Sequence, residues 1–134
     1  MIPESAVYSD PTYSKQTILV VEDEEMLCSV VKMYLEEEGY IVLAVSNGED
    51  AEEVYAQHPE IALVLSDIGL PGITGDNLFV ILRKINPIAK IILSTGFIDA
   101  ASKSNLLRAG VKHIVQKPYV PGDLLKQIRL AMDS

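Results

Sequence analysis

Apolar residues recur along this chain in two alternating rhythms. After Thr17 the run Ile18-Leu19-Val20-Val21 is unbroken and ends in acids, which predicts a strand buried on both faces. Leu27, Val30, Val31, Tyr34 and Leu35 then fall at helical spacing, and Gly39 suits the position just past a helix end. Residues 40–45 predict a second strand. Ser46-Asn47-Gly48-Glu49 reads as a capping-box start for a helix through Ala51, Val54 and Tyr55, stopped near Pro59. Residues 61–66 predict a third strand, and Leu70-Pro71-Gly72 is turn chemistry. Leu78, Ile81, Leu82 and Ile85 form a helical stripe ended by Asn86-Pro87. Residues 90–94 predict a fourth strand. A weaker helix over 99–109 follows, closed by Gly110, with Ala100-Ala101 and Leu106-Leu107 expected in its core face, a face read by partners being the alternative. A short fifth strand over 113–116 leads to a last helix with Pro121 at its first position and Leu124, Leu125 and Ile128 on its buried side. Five strand–helix units in a row imply an α/β fold, a parallel sheet covered by helices on both faces.

The start of the chain breaks the rhythm. Residues 1–16 hold two prolines, three serines and no apolar period, which reads as a linker or disordered tail before a domain over 17–132. At 134 residues the chain has the size of one domain, and 49% hydrophobic residues suffice for a sizeable core. No apolar run approaches the roughly 20 residues that span a bilayer, and no basic start precedes an apolar stretch as in a signal peptide. The lone Cys28 cannot form an internal disulfide and is expected to pack as a small hydrophobe. A soluble protein of a reducing, cytoplasmic compartment is the expectation. The net charge of −8 argues against direct nucleic-acid binding, which needs clustered Lys and Arg. That charge is unevenly spread. Residues 1–60 carry 14 acids and two bases, residues 61–134 five acids and nine bases, so the halves stand at −12 and +4. Solvated helix faces explain this adequately, and a docking surface is the alternative.

In open parallel sheets, ligands bind beyond the carboxyl ends of the strands. The polar residues that follow the predicted strands are Glu22 and Asp23, then Asp67, Thr95 and Lys117. Each has an ordinary explanation: helix-start acids, a turn aspartate, a helix cap, a surface lysine. Together they place three carboxylates on one rim, where like charges repel and must be neutralised. A divalent cation does this, and an oxygen-only ligand set suits Mg²⁺, with Mn²⁺ the alternative. His58 and His113 show no metal-ligand spacing.

The segments ILVVEDEE (18–25), LVLSDIGLPG (63–72), ILSTG (92–96) and QKP (116–118) resemble the response-regulator receiver domain of two-component signalling, in that family's order and spacing. The resemblance implies a flavodoxin-like strand order 2-1-3-4-5. It implies that Asp67 is the phosphoacceptor and that Asp23, Asp67 and the Gly69 backbone carbonyl bind Mg²⁺, with Glu22 acting largely through water. It further implies that Lys117 and Thr95 contact the phosphoryl oxygens and that the Lys117–Pro118 bond is cis. The donor would be a phosphohistidine on a histidine kinase or phosphotransfer domain, and a homodimer through the fourth and fifth helices with the last strand is a further implication.

The chain departs from the family pattern in two ways. Ile114 stands where an aromatic residue is usual, three before the lysine, and Tyr119 is no direct substitute for it. Phe97 and Gly69 occupy the places from which a polar side chain would orient an attacking water, so slow loss of the phosphoryl group is expected. A phosphatase using Asp67 as nucleophile is the competing class, but such enzymes usually carry a second aspartate where Gly69 stands. A nucleotide or flavin binder would need a glycine-rich loop after strand one, where acids stand instead. The stretch INPIAKIILSTGFID and the QKPY end look similar to C-terminal receivers of hybrid sensor histidine kinases. Residues 1–16 would then be a tether, and a stand-alone regulator is the alternative.

Overall fold

A computed structural model describes residues 16–134; of the expected tail, all but Gln16 lies outside the described residues. Five strands form one parallel sheet in the order β2-β1-β3-β4-β5. They are β1 (Thr17–Val21), β2 (Ile41–Val45), β3 (Ile61–Asp67), β4 (Ile91–Thr95) and β5 (His113–Gln116). The helices are α1 (Glu25–Glu37), α2 (Gly48–Gln57), α3 (Gly75–Ile85), α4 (Ala100–Arg108) and α5 (Pro121–Asp133).

Because strand side chains alternate, each central strand feeds two cores. Ile18 and Val20 of β1, Leu63 and Leu65 of β3 and Ile92 of β4 pack under Val31 and Leu35 of α1 and Leu124 and Ile128 of α5. Leu19, Val21, Val64, Ile91 and Leu93 face the other way, under Ala51 and Tyr55 of α2 and Leu78, Phe79 and Leu82 of α3. Leu19, Leu63 and Leu93 are essentially inaccessible to solvent, and truncating any one to alanine costs about 2–5 kcal/mol. Among the described residues, no helix is long and apolar enough to cross a membrane.

Local details depart from the sequence pattern in instructive ways. Asn47, one residue after the expected Ser46, caps α2: its side chain accepts the Asp50 N–H at 2.8 Å and donates to the Asp50 carboxylate at 3.0 Å. Tyr40 is buried but precedes β2, its N–H turned back to the Leu35 carbonyl. Val30 and Ile85, members of predicted stripes, are largely exposed. The expected core face of α4 is the main correction. None of its residues is buried, Leu107 stands half in solvent, and only Leu106 packs against the core.

Candidate functional site

Asp67 ends β3, and the chain turns sharply behind it. Gly69 N–H donates to Asp67 Oδ1 at 3.2 Å, and Gly75 N–H to the Ile68 carbonyl at 2.9 Å. A Cβ on Gly75 would stand 2.4 Å from the Asp67 carbonyl oxygen and 2.7 Å from Ile68 Cα, so α3 can begin this close only with glycine. Glu22 follows β1 and is only 4% exposed. Its Oε2 accepts the Glu24 N–H at 3.3 Å. Asp23 beside it is exposed.

One oxygen from each of Glu22, Asp23 and Asp67 lies within 4.8 Å of the others. No other cluster of three His, Cys, Asp or Glu side chains among the described residues could hold a metal ion. Lys117 directly follows β5 and is joined to Pro118 by a cis bond, as the resemblance implies, and its N–H continues the ladder to the Thr95 carbonyl at 2.8 Å. Its ammonium reaches Glu22 Oε1 at 2.5 Å and Asp67 Oδ2 at 3.1 Å.

The electrostatics follow from burial. Desolvation pushes the Glu22 carboxyl above its ordinary range, and the hydrogen bond from Lys117 offsets only part of that. Burial alone would lower Lys117, but the hydrogen bonds and charges of Glu22 and Asp67 outweigh it and hold the ammonium above its ordinary value. Lys117 is therefore charged, and it balances a rim that carries three acids.

The strand ends thus bring Glu22, Asp23, Asp67 and Lys117 together. Thr95 is on the same rim, but its hydroxyl serves its own loop, donating to the Phe97 carbonyl at 2.8 Å and accepting the Phe97 N–H at 3.3 Å. The cap of α4 is Asp99, not Thr95. Phe97 is 80% exposed. His58 pairs with Glu60 at 3.2 Å, and neither histidine joins the acids. Cys28 is partly buried, and desolvation pushes its thiol up, which suits a packing role. Sequence reasoning missed Ser94, fully buried and hydrogen-bonded at 2.7 Å by the Tyr119 hydroxyl. The available signal was a serine in the apolar strand IILST together with a hydroxyl-bearing ring next to Lys117-Pro118.

A carboxylate beside an ammonium and two further acids is suited to accept an electrophile whose own charge a hard cation helps to balance. The family model for the response regulator receiver domain matches residues 18–129. The uncharacterized transcriptional regulatory protein YkoG of Bacillus subtilis is 36% identical over 118 residues, covering 88% of this chain and 51% of that protein. The transcriptional regulatory protein AruR of Pseudomonas aeruginosa is 36% identical over 116 residues, 84% of this chain and 47% of its own. This chain therefore spans about half the length of either regulator. A CheY-like response regulator receiver domain protein from Methanospirillum hungatei superposes with a TM-score of 0.81 at 31% identity, over 90% of this chain and 95% of that one.

Proposed function

The chain belongs to the response regulator receiver domain family, the phosphoacceptor signalling domain of two-component systems, and on that premise we propose that Asp67 is its phosphoacceptor. The observation that carries this is the placement of Asp67 at the end of β3, with Lys117 at 3.1 Å and the acids Glu22 and Asp23 alongside. In the proposed step an Asp67 carboxylate oxygen forms a bond to the phosphorus of a phosphohistidine while the N–P bond breaks, leaving an acyl phosphate. Lys117 meets a phosphoryl oxygen as a point charge. Thr95 donates to the same group after leaving its bonds to Phe97, which draws the loop after β4 inward.

The acid cluster fits a Mg²⁺ ion. Three carboxylate oxygens within 4.8 Å of one another are hard donors of the kind Mg²⁺ takes, and waters would fill its remaining positions. Asp23 and Asp67 would hold the ion directly, together with the Gly69 carbonyl. Glu22, whose two oxygens already accept from Lys117 and Glu24, would act through water. Held there, the ion would offset the repulsion between the incoming phosphoryl group and the carboxylates.

Phosphorylation then shifts an equilibrium that a partner reads. The proposed partners are a phosphohistidine donor and an output protein, or a second copy, on the face formed by α4, β5 and α5. The compartment is taken to be the cytoplasm. For the wider setting we favour the C-terminus of a hybrid histidine kinase, on the INPIAKIILSTGFID and QKPY segments. The similarity to transcriptional regulators supports a receiver that governs such an output instead. The mass of the native protein in its own cells, detected with an antiserum to this domain, separates a kinase-sized chain from the alternatives.

The test is intact mass after incubation with Mg²⁺ and acetyl phosphate, for the wild type and Asp67→Asn. One phosphoryl group in the wild type alone, abolished by chelation, supports the reading. Continuous release of free phosphate without an adduct would favour the phosphatase class.

A further inference from the structure

Ser94 is fully buried, and as the register partner of Asp67 its side chain leaves the same face of the sheet. A buried hydroxyl is costly unless it is hydrogen-bonded. Ser94 Oγ donates to the Ser66 carbonyl at 3.4 Å, a long bond, and accepts from Tyr119 Oη at 2.7 Å, a short one. Tyr119 is thereby tied to β4 directly beside the proposed phosphoacceptor.

The turn after β5 is fixed to β4 at two consecutive residues. Lys117 N–H holds the Thr95 carbonyl at 2.8 Å, and Tyr119 Oη holds Ser94. Pro118 between them has a ring-fixed φ. The base of the Lys117 side chain is therefore set by the backbone, and only its stem must be ordered to bring Nζ to Asp67 and Glu22. Tyr119 does not replace the aromatic residue absent at position 114. Thr95 and Ile114 line one groove between α4 and β5, whereas Tyr119 packs against the core on the opposite face of the sheet, the one that holds Ile92 and Leu124.

We infer that the Tyr119 hydroxyl is a positioning group of the site, holding Lys117 over Asp67 through the buried hydroxyl of Ser94. This rests on the reading of Asp67 and Lys117 proposed above. Tyr119→Phe keeps the ring and removes only the bond, and Ser94→Ala removes it from the other side.

The first readout needs no phosphodonor: the ¹⁵Nζ ammonium resonance of Lys117, with thermal melts showing that each variant is folded. In both variants the resonance shifts or broadens. The second readout is the rate of phosphoryl uptake from acetyl phosphate with Mg²⁺. Tyr119→Phe slows it by about tenfold, the worth of one net hydrogen bond. In a Lys117→Gln background the same change alters the rate by less than about twofold, because coupled residues do not act independently. An unchanged ammonium resonance in folded Tyr119→Phe overturns the inference, as does equal slowing in both backgrounds. A wild type that takes up no phosphoryl group sinks the reading of Asp67 instead, and the ammonium resonance still decides the role of Tyr119.

Discussion

Lys117 Nζ lies 3.1 Å from Asp67 Oδ2, and the same ammonium is the counter-charge of Glu22, which is 4% exposed. Lys117→Gln leaves that buried carboxyl unpaired. It lowers stability by about 3 kcal/mol, read as a drop in the urea midpoint. Magnesium recovers part of the loss, since a ligand at a hundredfold its Kd adds about 2.7 kcal/mol. A midpoint unmoved by the substitution shows that the pair contributes nothing to the fold.

The lifetime of the phosphorylated form depends on what can hold a water near Asp67. Phe97 is 80% exposed and apolar, and Gly69 has no side chain. Phe97→Glu supplies a carboxylate there and shortens the lifetime by about tenfold, a modest instance of general-base assistance. Decay is followed by the loss of the added mass. A wild type that decays faster than Phe97→Glu refutes this account of the loop.

Gly75 is the point where α3 meets the end of β3. In Gly75→Ala the new Cβ collides with the Asp67 carbonyl and Ile68 Cα, which are backbone atoms and cannot turn aside. The expected loss is about 3 kcal/mol or more, the upper range for overpacking. Phosphoryl uptake falls with it, because the displaced segment carries Asp67. Urea unfolding and uptake rate, measured on the same preparation, check both effects.

At the opposite end of the sheet, His113 begins β5, and its Nε2 is buried without a hydrogen-bond partner among the described residues. Burial lowers its pKa below the ordinary value of 6.5, assisted by Lys112 and opposed by Gln127. The unfolded chain therefore binds a proton at a higher pH than the folded one. The stability this confers is fully present above about pH 6.5 and is lost as the pH falls through the folded value. Melts of the wild type decline between pH 7.5 and 5 more steeply than those of His113→Asn. Parallel curves remove His113 from the explanation.

The sheet was legible because every central strand is buried on both sides, so Ile18-Leu19-Val20-Val21 and the third and fourth strands stand as unbroken apolar runs. The rim residues were legible because strand ends are where such sheets gather polar groups. What the sequence hid were relations set by the third dimension. Leu106-Leu107 looks like core, yet α4 lies where only one of the two can reach the sheet. Asn47 and Ser46 are equally good caps by type, and only the backbone angles select between them. Ser94 and Tyr119 are separated by 25 positions and meet through the strand order, a pairing that no local pattern encodes.

Helix α4 contributes no buried residue, and this bears on how a small chemical event can be transmitted. Withdrawing one buried leucine from a core costs about 2–5 kcal/mol. Helix α4 has no fully buried leucine to withdraw, only the partly buried Leu106, so moving it costs less than moving a helix rooted in the core. Inverting a population from 1:99 to 99:1 requires about 5.5 kcal/mol of differential binding. Two or three charge-assisted hydrogen bonds, at about 1.5–3 kcal/mol each, supply that amount. A loosely seated helix next to a firmly packed sheet would let a few such bonds decide how that edge is placed, while the sheet beneath stays a fixed reference.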